Sequence, residues 1–301
     1  MVASRRGGRA RSTGGLLALA SAAIVISGCS SLFGLSSGSS PSNGTPIASA
    51  SSTSAAPAAT SKETEDSRGS AIPRSSAVPS AASLPLAGKI VGVDPGHNGG
   101  NFTDTAYIGH LIWNGREWEA CNTTGTATDA GYTEAQFNFN VGSYLHADLI
   151  ADGARVVMTR TSNEGVGPCV NKRAAIINAA HANVGIAIHA DGAAPSGRGF
   201  AILVPVADGP NDKIIGASAK FADDLRATML AGTPLPISNY DGVDAIQPRD
   251  NLAGLNLVQV PMVLIEVGNM RNATDAALQI TPAFQQKVAK AILAAILKFL
   301  T

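Results

Sequence analysis

The chain has 301 residues and no formal net charge, because 22 Lys and Arg residues balance 22 Asp and Glu residues. This balance provides no global attraction to nucleic acid and argues against nucleic acid as a partner. Regular hydrophobic periodicity begins only after residue 84, and Ser, Ala, Pro, Thr and Gly dominate before it. We therefore expect one folded domain of about 215 residues, which is large enough to bury a substantial core.

The first residues have the pattern of an export signal. Arginines precede an apolar run from Leu16 to Ile26, which is the order found in a secretory signal peptide. The run is shorter than the roughly 20 apolar residues that a transmembrane helix requires. It ends at Ile26-Ser27-Gly28-Cys29, which is similar to the lipobox of bacterial lipoproteins. We predict that residues 1–29 are a signal peptide with a lipobox-like end and that Cys29 carries lipid; simple secretion is the alternative.

Residues 30–85 are rich in Ser, Ala and Pro and contain few large apolar side chains. Such a segment cannot bury enough apolar surface to offset the entropy of an ordered chain. We predict a disordered linker here, followed by a folded domain at residues 86–301. A random coil of this length spans about 40 Å on average, which suits a tether between a membrane and the folded domain.

The folded part alternates strands and helices. In chain order, strands are predicted at residues 89–93, 155–159, 184–188, 200–205 and 262–267, and helices at 134–150, 172–182, 213–231 and 282–300. This alternation is typical of an α/β protein with a mainly parallel twisted sheet that is covered by helices on both faces. Residues 99–133 and 232–251 are rich in Gly, Asn and Asp and are expected to form an irregular rim around a site.

Two cysteines remain if Cys29 belongs to the export signal. Because disulfides persist outside the cytoplasm, we predict that Cys121 and Cys169 are bonded to each other. The bond would close a loop of 48 residues (169 minus 121) and remove unfolded-state entropy worth about 4 kcal/mol. Two free buried thiols are the alternative.

Three predicted strands end near side chains that are suited to catalysis. His97, His189 and Glu266 lie at or just beyond these strand ends. Because ligands of open α/β sheets bind beyond the carboxyl ends of the strands, we expect the three side chains to be close together. With Glu134, the two histidines supply the imidazole and carboxylate ligands that a catalytic zinc site uses. Spacing alone leaves alternatives open for all three residues. His97 could cap a turn, and His189 could be a hydrogen-bonded histidine of the core. Glu134 could be only a first-turn carboxylate that interacts favourably with the positive end of the helix dipole.

Four motifs in a fixed order carry a resemblance to a known family. They are Val93-Asp94-Pro95-Gly96-His97-Asn98-Gly99, Glu134, Ile188-His189-Ala190-Asp191 and Leu264-Ile265-Glu266-Val267-Gly268-Asn269. Together they resemble N-acetylmuramoyl-L-alanine amidase family 3 over residues 89–300, in particular its single-domain actinobacterial members. The resemblance implies that His97, Glu134 and His189 bind one zinc ion per chain and that Glu266 is the catalytic carboxylate.

This resemblance implies a function in the cell envelope, on the outer side of the cytoplasmic membrane. The expected reaction is zinc-dependent hydrolysis of the amide between the lactyl group of N-acetylmuramic acid and the L-alanine of the stem peptide. Peptidoglycan and muropeptides are then the partners, the membrane is contacted only through a lipid anchor, and no protein partner is indicated. A zinc peptidase acting within the stem peptide and a non-catalytic wall-binding lipoprotein are the alternatives.

Two positions depart from the family pattern, and three arginines are candidates for substrate binding. Many family members have Asn at Asp191 and Phe at Asn269, but neither position is an expected ligand. Arg173, Arg198 and Arg249 have the geometry to bind a stem-peptide carboxylate through two hydrogen bonds. Arg249 is the strongest candidate because it lies in the irregular rim, whereas solvation or core bridging is the alternative for each.

Overall fold

The structure is a computed structural model that describes residues 84–301. The predicted signal peptide, Cys29 and nearly all of the predicted linker lie outside the described residues. Within residues 84–301, no helix combines the length and the apolar character that crossing a membrane requires.

A six-stranded sheet forms the centre of the described residues. In chain order, the strands are β1 (Ile90–Pro95), β2 (Leu111–Trp113), β3 (Trp118–Ala120), β4 (Arg155–Met158), β5 (Val184–Asp191), β6 (Ala201–Pro205), β7 (Ile246–Arg249) and β8 (Met262–Asn269). The sheet order is β4-β1-β5-β8-β6-β7, and β2 and β3 form a separate hairpin. All neighbours in the sheet are parallel except β6 and β8, which confirms the predicted mainly parallel sheet.

Helices cover both faces of this sheet, as predicted. In chain order, they are α1 (Thr105–Gly109), α2 (Glu134–Ala151), α3 (Val170–Ala179), α4 (Ile215–Gly232), α5 (Ala253–Asn256), α6 (Ala273–Gln279) and α7 (Pro282–Leu300). Because successive side chains of a strand point to opposite faces, Ile186 and Ile188 of β5 enter the larger core with α2, α4 and α7. Ala187 enters the smaller core beside Ile177 of α3.

The strands that carry the expected site residues are longer than predicted. β1 includes Asp94 and Pro95, β5 continues through His189 to Asp191, and β8 continues past Glu266 to Asn269. His189 and Glu266 therefore lie within strands rather than at their last positions. The sequence pattern ended too early because polar side chains replace the apolar run at the edge where the site is built.

The segments expected to be irregular contain short regular elements. Residues 99–133 include α1 and the β2–β3 hairpin, residues 232–251 include β7, and α5 and α6 were also missing from the prediction. Three-residue strands have no readable periodicity, and contacts distant in sequence hold this hairpin. Arg116 at its tip lies 3.2 Å from Asp208 and 3.0 Å from Asp250.

Candidate active site

Three side chains from different elements meet at the carboxyl edge of the sheet. The Glu134 Oε1 atom of α2 lies 3.1 Å from His97 Nε2, just after β1, and 2.9 Å from His189 Nδ1 of β5. One potential ligand atom from each residue lies within 4.8 Å of the other two. The residues that the family resemblance assigns to a metal are thus neighbours, although 37 and 55 positions separate them in the sequence (134 minus 97; 189 minus 134).

The start of α2 places the Glu134 carboxylate. Thr133 caps this helix by accepting a hydrogen bond from the Gln136 backbone N–H at 3.3 Å, so that Glu134 is the first helical residue. Its Oε2 atom accepts from the Thr126 backbone N–H at 3.0 Å, and Oε1 accepts from the Ala190 N–H at 3.3 Å. The carboxylate is therefore bound to neighbouring segments rather than to the N–H groups of its own first turn.

The orientation of His97 leaves one ring nitrogen available. Its Nδ1 lies 3.1 Å from the Thr123 carbonyl oxygen, so a neutral His97 that donates from Nδ1–H to that carbonyl presents an Nε2 lone pair to the Glu134 carboxylate. Two acceptors face each other at this point, which suits a cation bound by both. Metal-binding histidines commonly donate their other N–H to a backbone carbonyl in this way. The donor set of two imidazoles and one carboxylate also fits zinc.

Two glycines have no side chain where the candidate ligands lie. A Cβ atom placed on Gly96 would lie 2.2 Å from His189 Nε2. A Cβ atom on Gly125 would lie 2.8 Å from both Glu134 Oε2 and His97 Cδ2, and Gly125 also has a φ of +75°, which favours glycine. The site therefore requires glycine at these two positions as well as the expected ligands.

The charges of this cluster reinforce one another. Burial alone would raise the pKa of Glu134, but His97 and His189 lower it well below its ordinary value. Burial alone would lower the pKa of His97, but the Glu134 carboxylate raises it. Without a bound cation, the carboxylate thus favours a protonated His97, and a metal ion would take the place of that proton.

Glu266 lies beside His189 on the neighbouring strand. The two residues are register partners of β8 and β5, so their side chains project from the same face of the sheet. The Glu266 Oε2 atom is buried and has no hydrogen-bond partner among the described residues. Burial, followed by the negative charges of Glu134, Asp191 and Asp241, raises the pKa of Glu266 well above its ordinary value. A carboxyl group in this setting is suited to holding and releasing a proton.

A cleft of about 440 Å³ opens over these side chains and also includes Arg249. The Arg249 Nε atom donates to Asn251 Oδ1 at 2.9 Å. A second, mostly apolar pocket of about 190 Å³, which Ala187 and Leu264 help to line, adjoins the cleft. The two spaces share His97 and His189 and therefore form one continuous surface around the candidate metal ligands.

The other two candidate arginines have structural partners. Arg173 is buried and lies 2.6 Å from Asp94, whereas Arg198 lies 3.2 Å from the buried Asp275. Neither of them lines the open cleft that contains Arg249, and Arg173 borders only the adjoining pocket of about 190 Å³. Their positions fit core bridging, which was the alternative to substrate binding.

The structure contains the Cys121–Cys169 disulfide bond that the cysteine count predicts. The bond joins the segment after the β2–β3 hairpin to the start of α3. Cys121 is two residues before Thr123, whose carbonyl receives the His97 ring N–H. The disulfide thus holds the segment that orients one of the candidate ligands.

Several residues around the ligands were not found from the sequence. Asn138 donates to Glu134 Oε1 and to the Gly96 carbonyl, both at 3.3 Å, and its position four residues after Glu134 was a usable signal because such residues share a helix face. Thr123 lies in a segment without any local pattern. The Asn269 side chain, at a position that departs from the family pattern, accepts from the Ala193 N–H at 3.0 Å and orders the loop after β5.

The fold and the site define an α/β protein with a candidate metal centre and a neighbouring carboxyl group at one edge of a mainly parallel sheet. The sequence model of the N-acetylmuramoyl-L-alanine amidase family matches residues 91–298. The match covers most of the chain and all of the candidate ligands. The chain therefore belongs to the N-acetylmuramoyl-L-alanine amidase family.

Characterised relatives and solved structures agree with this assignment. The N-acetylmuramoyl-L-alanine amidase Rv3717 of Mycobacterium tuberculosis is 40% identical over 216 residues, which cover 71% of this chain and 88% of that protein. The germination-specific N-acetylmuramoyl-L-alanine amidase of Bacillus subtilis is 30% identical, with 72% and 81% covered. The crystal structure of the amidase Ami1 from Mycobacterium smegmatis matches with a TM-score of 0.68 at 41% identity, covering 71% of this chain and 98% of that one.

Proposed function

We propose that residues 86–301 form the catalytic domain of a zinc-dependent N-acetylmuramoyl-L-alanine amidase. The reaction is hydrolysis of the amide between the lactyl group of N-acetylmuramic acid and the L-alanine of the stem peptide in peptidoglycan. The single observation that carries this proposal is the convergence of His97, Glu134 and His189 beside Glu266 in one open cleft. Membership of the amidase family supports the choice of bond.

His97 Nε2, Glu134 Oε1 and His189 Nδ1 would hold one zinc ion per chain. Their mutual distances and the Nδ1–H hydrogen bond of His97 to Thr123 support this assignment. When bound, zinc supplies Lewis acidity toward an amide carbonyl and lowers the pKa of water to about 7. The protein contributes a buried carboxylate ligand and an open side toward the cleft.

Glu266 would transfer the proton of the reaction. A water molecule attacks the amide carbonyl carbon, Glu266 accepts the proton that the water loses, and it then delivers that proton to the leaving nitrogen of L-alanine. The carbon–nitrogen bond breaks, and the products are a lactyl carboxylic acid and a free α-amine. The raised pKa of Glu266 supports this role, because a more basic carboxylate accepts a proton more readily near neutral pH.

Arg249 would bind a carboxylate of the stem peptide. It lines the cleft that contains Glu266, and its guanidinium group can donate two parallel hydrogen bonds to a carboxylate. Peptidoglycan and muropeptides are the partners in this proposal.

The protein would act outside the cytoplasmic membrane. We infer that residues 1–29 direct export, that Cys29 carries the lipid anchor, and that residues 30–85 form the tether to the catalytic domain. The signal-like and lipobox-like sequence supports this arrangement, and peptidoglycan as the substrate requires an extracytoplasmic location.

The proposal is tested by comparing Glu266→Gln with Glu164→Gln on purified peptidoglycan. Glu164 is exposed and lies outside the cleft, so the two variants make the same chemical change in different places. We expect Glu266→Gln to lose at least about 100-fold in turnover while it keeps one zinc per chain, and Glu164→Gln to match the wild type.

Mass spectrometry of the products identifies the bond that is cut. Intact stem peptides with a free L-alanine amine, together with peptide-free glycan, are the expected products of the wild type. Shortened stem peptides would instead indicate a peptidase, and normal cleavage by Glu266→Gln would refute the assigned role of Glu266. Zinc binding without any cleavage would favour a wall-binding protein.

A further inference from the structure

Two buried arginines surround the loop that carries His97. The exposed fraction is only 5% for Arg160 and 2% for Arg173. Burial of a cation is unfavourable unless it is paired or fully hydrogen-bonded, and both residues lie next to a site proposed to bind another cation. Neither lines the open cleft, and Arg173, which borders the adjoining pocket, already uses its guanidinium group on Asp94 and on backbone carbonyls.

The two guanidinium groups bind three successive backbone carbonyls. Arg160 donates from Nε to the Pro95 carbonyl at 2.8 Å and from Nη2 to the Gly96 carbonyl at 3.2 Å. Arg173 donates from Nη1 to the same Pro95 carbonyl at 2.8 Å and from Nη2 to the His97 carbonyl at 2.5 Å. The backbone between the end of β1 and His97 is thus held by arginine side chains.

Each arginine also connects this loop to another part of the site. Arg160 Nη2 donates to the Ala135 carbonyl at 2.7 Å, and Ala135 directly follows Glu134 in α2. Arg173 Nε donates to the Pro168 carbonyl at 3.0 Å, next to the disulfide at Cys169. One guanidinium group therefore joins the loop of His97 to the helix of Glu134, and the other joins the loop to the start of α3.

The loop requires such support because His97 adopts a left-handed backbone conformation. Its φ is +57°, in a region that a non-glycine residue rarely adopts and keeps only where its surroundings fix it. The preceding Gly96 adds backbone freedom rather than restraint. Arg173 is neutralised by Asp94 at 2.6 Å, whereas Arg160 has no carboxylate partner among residues 84–301 and is held by oxygen acceptors of uncharged groups.

We propose that Arg160 and Arg173 are positioning residues that hold His97 and Glu134 at metal-binding separation. Metal affinity would then depend on two guanidinium groups that do not themselves coordinate the metal. The inference rests on the proposed metal site and adds residues that determine its geometry. It predicts that these positions need arginine, since lysine keeps the charge but lacks the rigid fork that reaches several carbonyls at once.

The test uses the full chain and compares Arg160→Lys with Arg155→Lys. Arg155 is an exposed residue of β4 that donates to the Ala180 carbonyl at 3.1 Å, so its variant loses a similar contact far from the site. Zinc dissociation constants are measured by competition with a chromophoric chelator, and Tm is measured on the metal-free proteins. We expect zinc affinity to fall about 10- to 100-fold in Arg160→Lys and to stay unchanged in Arg155→Lys.

The outcomes separate this inference from the proposed function. Equal zinc affinity of folded Arg160→Lys and wild type would overturn the positioning role and leave the amidase proposal intact, even if Tm falls. No zinc binding by the wild type would overturn the metal site and the positioning role together. If Arg160→Lys does not fold, Arg173→Lys is measured in the same way, and wild-type affinity in that variant overturns the inference.

Discussion

Single residues determine whether the candidate ligands can approach one another. Gly96 is a stringent position, because the His189 ring occupies the place where any other residue would carry its Cβ atom. The backbone of Gly96 cannot move aside easily, since its N–H donates to the Ile188 carbonyl at 2.9 Å and its carbonyl accepts from Asn138 at 3.3 Å. A single methyl group at this position should therefore displace the His189 ring rather than the backbone.

We predict that Gly96→Ala abolishes tight zinc binding. The added Cβ atom would lie 2.2 Å from His189 Nε2, so the ring must leave its present position and a ligand is lost. Zinc affinity should fall about 100-fold or more, and turnover should fall with it. Chelator competition and release of stem peptides measure the two effects.

Gly216→Ala is the matched control. Gly216 lies in the first turn of α4, and nothing lies within 4 Å of a Cβ atom placed there. This variant should bind zinc as the wild type does and should be no less stable, because alanine favours a helix more than glycine does. Wild-type zinc affinity in Gly96→Ala would show that the site does not need the His189 position described above.

The sequence predicted the chemically reactive side chains better than the residues that support them. His97 follows a buried strand, and His189 and Glu266 lie near the carboxyl ends of two others, so parallel-sheet geometry alone brings them to one edge. Thr123 contacts His97 from 26 positions away in the sequence. Arg160 contacts the Gly96 and Pro95 carbonyls from 64 and 65 positions away. No local pattern records such contacts, because they depend on how separate loops pack in the folded chain.

At the scale of elements, long periodic segments were predicted well and short ones were not. The predicted bounds of the last helix agree with α7, because an apolar face repeated over five turns is visible in the sequence. The β2–β3 hairpin has three residues in each strand and is held by the Cys121–Cys169 disulfide and by Arg116. Its stability comes from long-range contacts, so propensity could not reveal it.

The contact between α4 and α7 provides a pH-dependent test at this scale. Asp224 of α4 lies 2.7 Å from Lys220 in the same helix and 3.0 Å from Lys298 of α7. Burial acts to raise the pKa of Asp224, but the two lysines lower it below its ordinary value. A carboxylate with a lowered pKa in the folded state stabilises the fold above its unfolded pKa of about 4, and this contribution is lost as pH falls through the folded pKa.

We predict that Asp224→Asn lowers the free energy of unfolding by about 1 kcal/mol at pH 7, since both lysines are largely exposed and their ion pairs are screened by solvent. The difference from the wild type should shrink below about pH 4, where the wild-type carboxylate also becomes neutral. Urea unfolding at several pH values measures this effect.

Asp223→Asn makes the same charge change one residue away and is the control. Asp223 is 64% exposed and, within the described part of the chain, forms an ion pair only with Arg226 of its own helix at 3.2 Å, so its loss should cost less than about 0.5 kcal/mol. Equal effects of the two variants would mean that the ion pair between Asp224 and Lys298 of α7 adds nothing to the free energy of unfolding.

At the scale of the whole molecule, the described residues contain every candidate ligand, the candidate proton donor and the cleft. Residues 84–301 should therefore carry the chemistry, whereas residues 1–83 should determine where it takes place. The family model matches only residues from 91 onward, which is why we place the chemistry in this part of the chain. This division means that location and catalysis can be separated by substitution.

We predict that Cys29→Ala moves the protein from the membrane fraction to the medium without changing turnover on soluble muropeptides. The substitution removes the only thiol of the lipobox-like sequence and leaves the Cys121–Cys169 pair intact. Cell fractionation and labelling with a fatty-acid probe measure the anchor, and Ser30→Ala is the neighbouring control that keeps the thiol. A wild type that is already free in the medium, or a Cys29→Ala variant that stays on the membrane, would show that Cys29 is not the anchor. If the variant is released, a lower rate of wall cleavage in cells at unchanged turnover in solution would show that the tether concentrates the enzyme at its substrate.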